Sequence, residues 1–496
     1  MLNSLKTASG YACTENGAAA YRSSGSDCVD LFATAGALRN ADENEIISRF
    51  LRAYSEDRDL AMKTLFFARD IRGGLGERRM FRTVLSYLAY SEPHSVRKNV
   101  GLIAEYGRWD DLLTLLGTPC ETDAVECIRR QLEKDIEAAK SPDAEVSLLA
   151  KWLPSVNASS TGTVQAAKTL ARVLGLSDRE YRRTLTALRA RIRILENSLR
   201  ERDYTFDYSK QPSKAMFKYR KAFLRNDGER YLDYLHQVRS GDAVLHTGTL
   251  FPYELVDPLL DWDPQRGDLS FGLLSEEEKT ALNTTWAALP DFTNGENALA
   301  VIDTSGSMYG PANPKPAAVA LSLGLYFAER NHGAFANHFI EFSRHARLIE
   351  VKGDTFYDRL RYLLTFNEVA NTDIGRVFDL ILSAALQNSV PASELPKKLF
   401  LISDMEFDCA VEGASVTCFE SARRRFEAVG YTLPKVIFWN VASRALQVPV
   451  RMHETGATLI SGCSPRLFSM VMNGELSPYR YMLGVLGSER YRPVAA

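Results

Sequence analysis

The chain has 496 residues, enough for two or three domains, and its 45% hydrophobic and 25% charged content is that of an ordinary soluble globular protein. No apolar run approaches the roughly 20 residues that span a bilayer, so no membrane part is expected. The net charge of −2 excludes a uniformly basic nucleic-acid protein, although between Lys151 and Arg239 basic residues outnumber acidic ones roughly two to one.

Residues 1–27 read as an extended, polar N-terminal arm containing the turn-like segment Thr14-Glu15-Asn16-Gly17-Ala18, and the first six residues lack the apolar core of a secretory signal. From 28 to 260 the pattern is helical, with apolar residues at three and four spacing in Val29, Leu31, Phe32, Ala35 and Leu38, and again in Met80, Phe81, Val84, Leu85 and Leu88. Breakers such as Gly73, Gly74, Pro93, Gly107, Pro142, Pro154 and Pro212 cut this pattern into short helices, which predicts an α-helical, HEAT-like repeat array.

Two groups of cations in the helical half are candidate RNA-binding residues. Arg69, Arg72 and Arg78 surround the Gly73-Gly74 break, where backbone amides and forked guanidinium donors suit a phosphate; the competing reading pairs Arg72 and Arg78 with Asp70 and Glu77 to fix a helix corner. Arg182, Arg183 and Arg189 lie on a helix expected from Asp178 to about Arg200, without sharing one face. Lys214, Lys218, Lys221 and Arg225 follow at four, three and four spacing, on one helical face, with Tyr204, Phe206, Tyr208, Phe217 and Tyr219 interleaved. Cations for phosphates and aromatics for bases form the usual single-strand binding pair, and a solvated charged face is the competing reading. Trp109-Asp110-Asp111 reads as a helix start, its carboxylates suited to the positive end.

Residues 261–296 form a linker and a helix opened by the capping box Ser275-Glu276-Glu277-Glu278. From 297 to 496 apolar strands (298–303, 337–343, 398–403, 435–441, 457–461) alternate with helical stretches (315–331, 373–388, 416–429), which predicts an α/β doubly wound, mostly parallel sheet. The first strand delivers Asp303, Ser305 and Ser307 into one tight turn; a second loop offers Thr372, and the apolar run Lys398–Ser403 ends at Asp404. These are hard oxygen donors, which suit Mg²⁺ or Mn²⁺ rather than zinc, and loops beyond the carboxyl ends of strands are where open α/β sheets place their ligands. The plainer reading makes Asp303 and Ser305 caps of the following helix.

The pattern Asp-x-Ser-x-Ser at 303–307, with Thr372 and Asp404 in order, resembles the metal-ion-dependent adhesion site (MIDAS) of von Willebrand factor A domains. That resemblance implies that Ser305, Ser307 and Thr372 ligate the cation and that Asp303 and Asp404 bind it directly or through water. It also implies a vacant coordination position for a carboxylate on a protein partner or for a phosphate. Phe67–Arg78 and Leu102–Leu113, with Thr14-Glu15-Asn16-Gly17 and Gly36-Ala37-Leu38-Arg39, are similar to the TROVE module. They are closer still to an uncharacterised family of plants, fungi, bacteria and viruses that also ends in an A-like domain. The TROVE resemblance implies a ribonucleoprotein of the Ro type, whose helical ring binds small noncoding or misfolded RNA.

No nucleophile–base–orienter set is visible, the seven histidines lack metal spacing, and Gly73-Gly74-Leu75-Gly76 lacks the Lys-Ser/Thr ending of a phosphate loop, so a non-catalytic protein is expected. Seven cysteines without a Cys-x-x-Cys pair fit reduced thiols in the cytoplasm. The expectation is an RNA-binding scaffold whose A domain binds Mg²⁺ and docks the array or a partner, oligomerisation being left open. The competing expectations are a metal-dependent protein-interaction adaptor without RNA and a self-assembling structural protein.

Overall fold

The computed structural model describes residues 10–141, 144–192, 194–263, 268–293, 297–343, 345–366, 373–407, 417–443, 447–472 and 477–496. They fall into two compact units, Met1–Thr64 with Pro212–Ser488, and Leu65–Gln211 with Glu489–Ala496. Among the described residues no helix is long and apolar enough to cross a membrane.

The first unit opens with a hairpin, β1 (Tyr11–Cys13) against β2 (Ala19–Tyr21), paired antiparallel. The sequence suggests an extended polar arm here, yet Ala18, Ala20 and Tyr21 are buried and Tyr21 exchanges both backbone hydrogen bonds with Val448. Another hairpin, β3 (Leu260–Asp263) with β4 (Asp268–Phe271), lies in the stretch read as linker. The capping box is present: Ser275 accepts from the Glu278 amide and Glu278 from the Ser275 amide, opening the helix Glu276–Ala287.

The C-terminal part is built on β5 (Ala298–Asp303), β6 (His338–Phe342), β7 (Ala346–Glu350), β8 (Lys398–Ser403), β9 (Lys435–Asn440) and β10 (Ala457–Ser461). Their order is β10-β9-β8-β5-β6-β7, parallel except for the antiparallel edge strand β7. Every residue of β5, β8 and β10 is buried, as strands covered on both faces require. β7 escaped the sequence reading because only Ile349 of its five residues is buried, so it carries no apolar run. The helix Pro316–Arg330 packs on β5 and is buried from Pro316 to Ala328. Gly324 is required there, since a Cβ would come within 2.7 Å of Ile302 Cγ2.

The second unit consists of short helices, among them Arg79–Ser91, Glu121–Ala138, Thr161–Val173 and Asp178–Ile192, joined by short turns. The last of these stops at Ile192, and Leu195–Glu201 is a separate helix rather than its continuation. The chain's final residues return to this unit: the Arg490 guanidinium and the Tyr491 hydroxyl both donate to Asp70. Asp70 also accepts from the Arg72 amide at 2.9 Å. Burial alone would raise the Asp70 pKa, but the bonds from Arg490, Arg72 and Gly73 outweigh it and hold it below its ordinary value.

Candidate metal centre and nucleic-acid faces

Parallel pairing of Ile302 with Ile402 sets the ends of β5 and β8 side by side, so that Asp303 meets Ser403 and Asp404 follows directly. The Ser403 hydroxyl donates to one oxygen of the fully buried Asp303 at 2.6 Å, and the Ser305 amide donates to the other at 2.8 Å. The Ser305 and Ser307 hydroxyls lie 3.1 Å apart. Asp404, 2% exposed, accepts from the Glu406 amide at 3.2 Å. Thr304 turns the other way and donates to Glu341 of β6 at 3.0 Å.

These bonds bear on the capping reading. Ser305 opens the short 3₁₀ turn Gly306–Tyr309, yet its hydroxyl makes no cap bond and meets Ser307 instead. The long helix that follows, Pro316–Arg330, has Lys315 at its N-cap position, not a residue of the cluster.

Electrostatics favour a cation at this place. Burial, and then the neighbouring Asp404 charge, push the Asp303 carboxyl up to about 7, against the bonds from Ser403 and Ser305. Two buried carboxylates beside two hydroxyls are an all-oxygen donor set, and a divalent ion would remove the repulsion between them. The residues present fit Mg²⁺ or Mn²⁺. Among the described residues no group of three or more His, Cys, Asp or Glu is arranged to hold a metal, and an ion at this place would have to draw on the hydroxyls as well. Thr372 lies outside the described residues; the amide of Asp373 donates to the Ser343 carbonyl just past the end of β6, at 3.3 Å. Sequence reasoning missed Ser403 and Glu406, although one directly precedes Asp404 and the other follows it by two residues.

The RNA-binding candidates separate into buried and exposed sets. Arg69 is 2% exposed and bound to the fully buried Asp111, Nε at 2.8 Å and Nη2 at 2.7 Å, a buried pair that the sequence reading did not anticipate and that takes Arg69 away from any binding face. Arg189 donates to the Ala150 and Leu153 carbonyls at 2.9 and 2.8 Å, closing the C-terminal end of the helix Leu149–Trp152. Arg72, Arg78, Arg182 and Arg183 are exposed, the last two opposite the buried Tyr181, Leu185 and Leu188 stripe. In the other unit Lys214 pairs with Glu254 and Lys221 with Glu278, each at 3.0 Å, while Lys218 and Arg225 are exposed on the same helix, Ser213–Asn226. The Asp110-Asp111 helix start is present: the Arg108 amide donates to Asp111 at 2.9 Å as the 3₁₀ segment Trp109–Leu115 begins.

Comparison with known proteins places the chain. The model described as "Domain of unknown function (DUF2828)" matches residues 14–127 and 123–292, more than half the chain. The protein belongs to the DUF2828 family. A second model, "Domain of unknown function (DUF7788)", matches 297–480 and so contains Asp303 through Asp404. The DUF2828 match begins at Thr14, in the hairpin, and includes all the basic candidates. A relative named "Uncharacterized protein L728", from Acanthamoeba polyphaga mimivirus, is 30% identical over 97% of this chain and 88% of its own length. The crystal structure of the Deinococcus radiodurans RO (RSR) protein aligns with 94% of this chain and all of that one, at 14% identity and a TM-score of 0.34. A likeness of that size carries no argument about fold or role, and the likeness to TROVE and von Willebrand factor A proteins rests on the motifs themselves.

Proposed function

We propose that this DUF2828-family protein is a non-catalytic scaffold that binds Mg²⁺ at the carboxyl ends of β5 and β8 and RNA through its exposed cations. The observation that carries the metal part is the juxtaposition of Asp303 and Asp404, both buried, with the Ser305 and Ser307 hydroxyls. The bound ion would supply a fixed positive charge with an open position for an acidic group; the chain's own residues orient it, Ser403 and the Ser305 amide holding Asp303 in place. The RNA part is supported by Arg72, Arg78, Arg182 and Arg183 in one unit and by Lys218 and Arg225 in the other, all solvent-exposed. The test is filter binding of the full chain to structured and single-stranded RNA as salt rises from about 50 to about 200 mM. Retention with a steep salt slope is expected; folded protein that retains no RNA at the low end refutes the RNA reading.

A second reading is favoured by the engagement of Lys214 and Lys221 with Glu254 and Glu278, which thins the basic face. On that reading the protein is an adaptor whose ion takes a carboxylate from a protein partner. Capture of a partner that is lost with chelator and indifferent to ribonuclease selects it.

A further inference from the structure

The loop leaving β8 is held from outside the sheet. Met405, between Asp404 and Glu406, has a left-handed backbone, φ +67°, a conformation that a residue with a side chain keeps only where its surroundings impose it. Part of that imposition is local: the Met405 amide donates to the Ser403 hydroxyl at 3.0 Å. The rest comes from residues almost 400 positions earlier. The Thr14 hydroxyl donates to the Phe407 carbonyl, the Asn16 side-chain amide to the Glu406 carbonyl at 2.7 Å, and the Glu15 backbone amide to the Glu406 carboxylate at 2.8 Å. Gln447 donates to the same carboxylate at 3.1 Å. Glu406 is 2% exposed and Thr14 is 6% exposed, so the Thr14 bond is made away from water, where it holds most firmly, and the others end on a buried acceptor residue.

Glu406 in turn touches the candidate centre, because its amide donates to Asp404. The turn between β1 and β2 thus grips Glu406 and Phe407, and Glu406 orients Asp404. We infer that the N-terminal hairpin is a clamp on the metal-site loop, with Glu406 as a positioning residue for Asp404. Ion affinity and hairpin docking then stabilise each other. This rests on the metal reading above, and linkage requires that the coupling run in both directions.

The experiment is Mn²⁺ binding by the full chain, read as loss of the free-ion electron paramagnetic resonance signal, together with amide hydrogen exchange over residues 10–24 with and without Mn²⁺. Native protein is expected to bind, and Asp404→Ala to lose binding. Asn16→Ala and Glu406→Gln, folded by circular dichroism, are expected to weaken affinity by about 10-fold, the size of effect that partners of ligands usually have. Mn²⁺ is expected to slow exchange in the hairpin of the native protein, a readout that needs no substitution and survives if a variant fails to fold. If native protein binds Mn²⁺ and Asp404→Ala does not, but Asn16→Ala and Glu406→Gln bind normally and hairpin exchange ignores the ion, the clamp is overturned while the metal reading stands. If native protein binds no Mn²⁺, both fall.

Discussion

Replacing Arg69 separates a structural arginine from a ligand-binding one. Arg69 and Asp111 are almost fully buried, and burial pulls the guanidinium pKa down even though Asp111 opposes it. Removing one partner of a buried pair typically costs about 3–5 kcal/mol, because the other charge is left without its counter-ion. In Arg69→Met, Asp111 keeps Arg82 Nε at 2.6 Å and the Arg108 amide at 2.9 Å, which places the loss near the lower end, about 3 kcal/mol. Asp111→Ala is worse, because it removes both bonds from Arg69 and one from Arg82. A domain of this size loses roughly 2–4 °C of midpoint per kcal/mol, so Arg69→Met should lower the calorimetric transition of the unit containing it by about 6–12 °C. RNA retention measured cold, with the variant folded, should be unchanged. A midpoint shift under about 2 °C combined with lost RNA retention would refute the burial argument and return Arg69 to the binding surface.

Asp303→Asn in chelator should raise the unfolding midpoint or leave it unmoved, since it removes one of two repelling buried charges, while abolishing Mn²⁺ binding; a clear drop in chelator would show that the carboxylate is needed for packing. Replacing Arg182 and Arg183 together by alanine should weaken RNA retention and flatten the salt slope by about 1–2, whereas Lys214→Ala should do less because Glu254 already holds that ammonium. Asp70 has a depressed folded pKa, so its contribution to stability is present above the ordinary carboxylate value of 3.8 and is lost as pH falls through the folded one. The stability gap between native protein and Asp70→Asn, followed by chemical denaturation, should therefore be constant near neutrality and shrink below about pH 4. Gly74→Ala should destabilise the same unit strongly, its Cβ falling 2.1 Å from the Phe67 carbonyl oxygen; an unchanged denaturation midpoint would contradict that packing.

What could be read from the sequence follows from how each feature is encoded. β5, β8, β9 and β10 announce themselves because a parallel strand buried on both faces needs a run of apolar residues, and these runs are too short for helices. β7 and the strand β1 make no such demand: β7 buries only Ile349 and β1 none of its residues, and their pairing is a matter of which backbone lies alongside. The oxygen cluster was legible as a list because strand ends and turns fix Asp303, Ser305 and Asp404 locally. Its supports were not. Thr14 and Asn16 act on Phe407 and Glu406 through bonds spanning about 390 residues, and nothing in the spacing of either segment points to the other. The cations show the reverse difficulty. Arg69 and Arg72 are indistinguishable as letters beside the same glycines, yet one is buried against Asp111 and the other is exposed and donates to the Glu105 carbonyl, because the helix Arg58–Arg69 ends between them and only Arg69 remains on its inward side. The tight chain path at Gly73-Gly74 also has a physical reason in the fold: a Cβ at Gly73 would come within 2.8 Å of Arg490 Cδ, so Gly73 makes room for the salt bridge between Asp70 and Arg490, while Gly74 lets the chain pass the Phe67 carbonyl. A motif that looked suited to a phosphate thus serves as the socket for Arg490, with Arg72 and Arg78 exposed beside it.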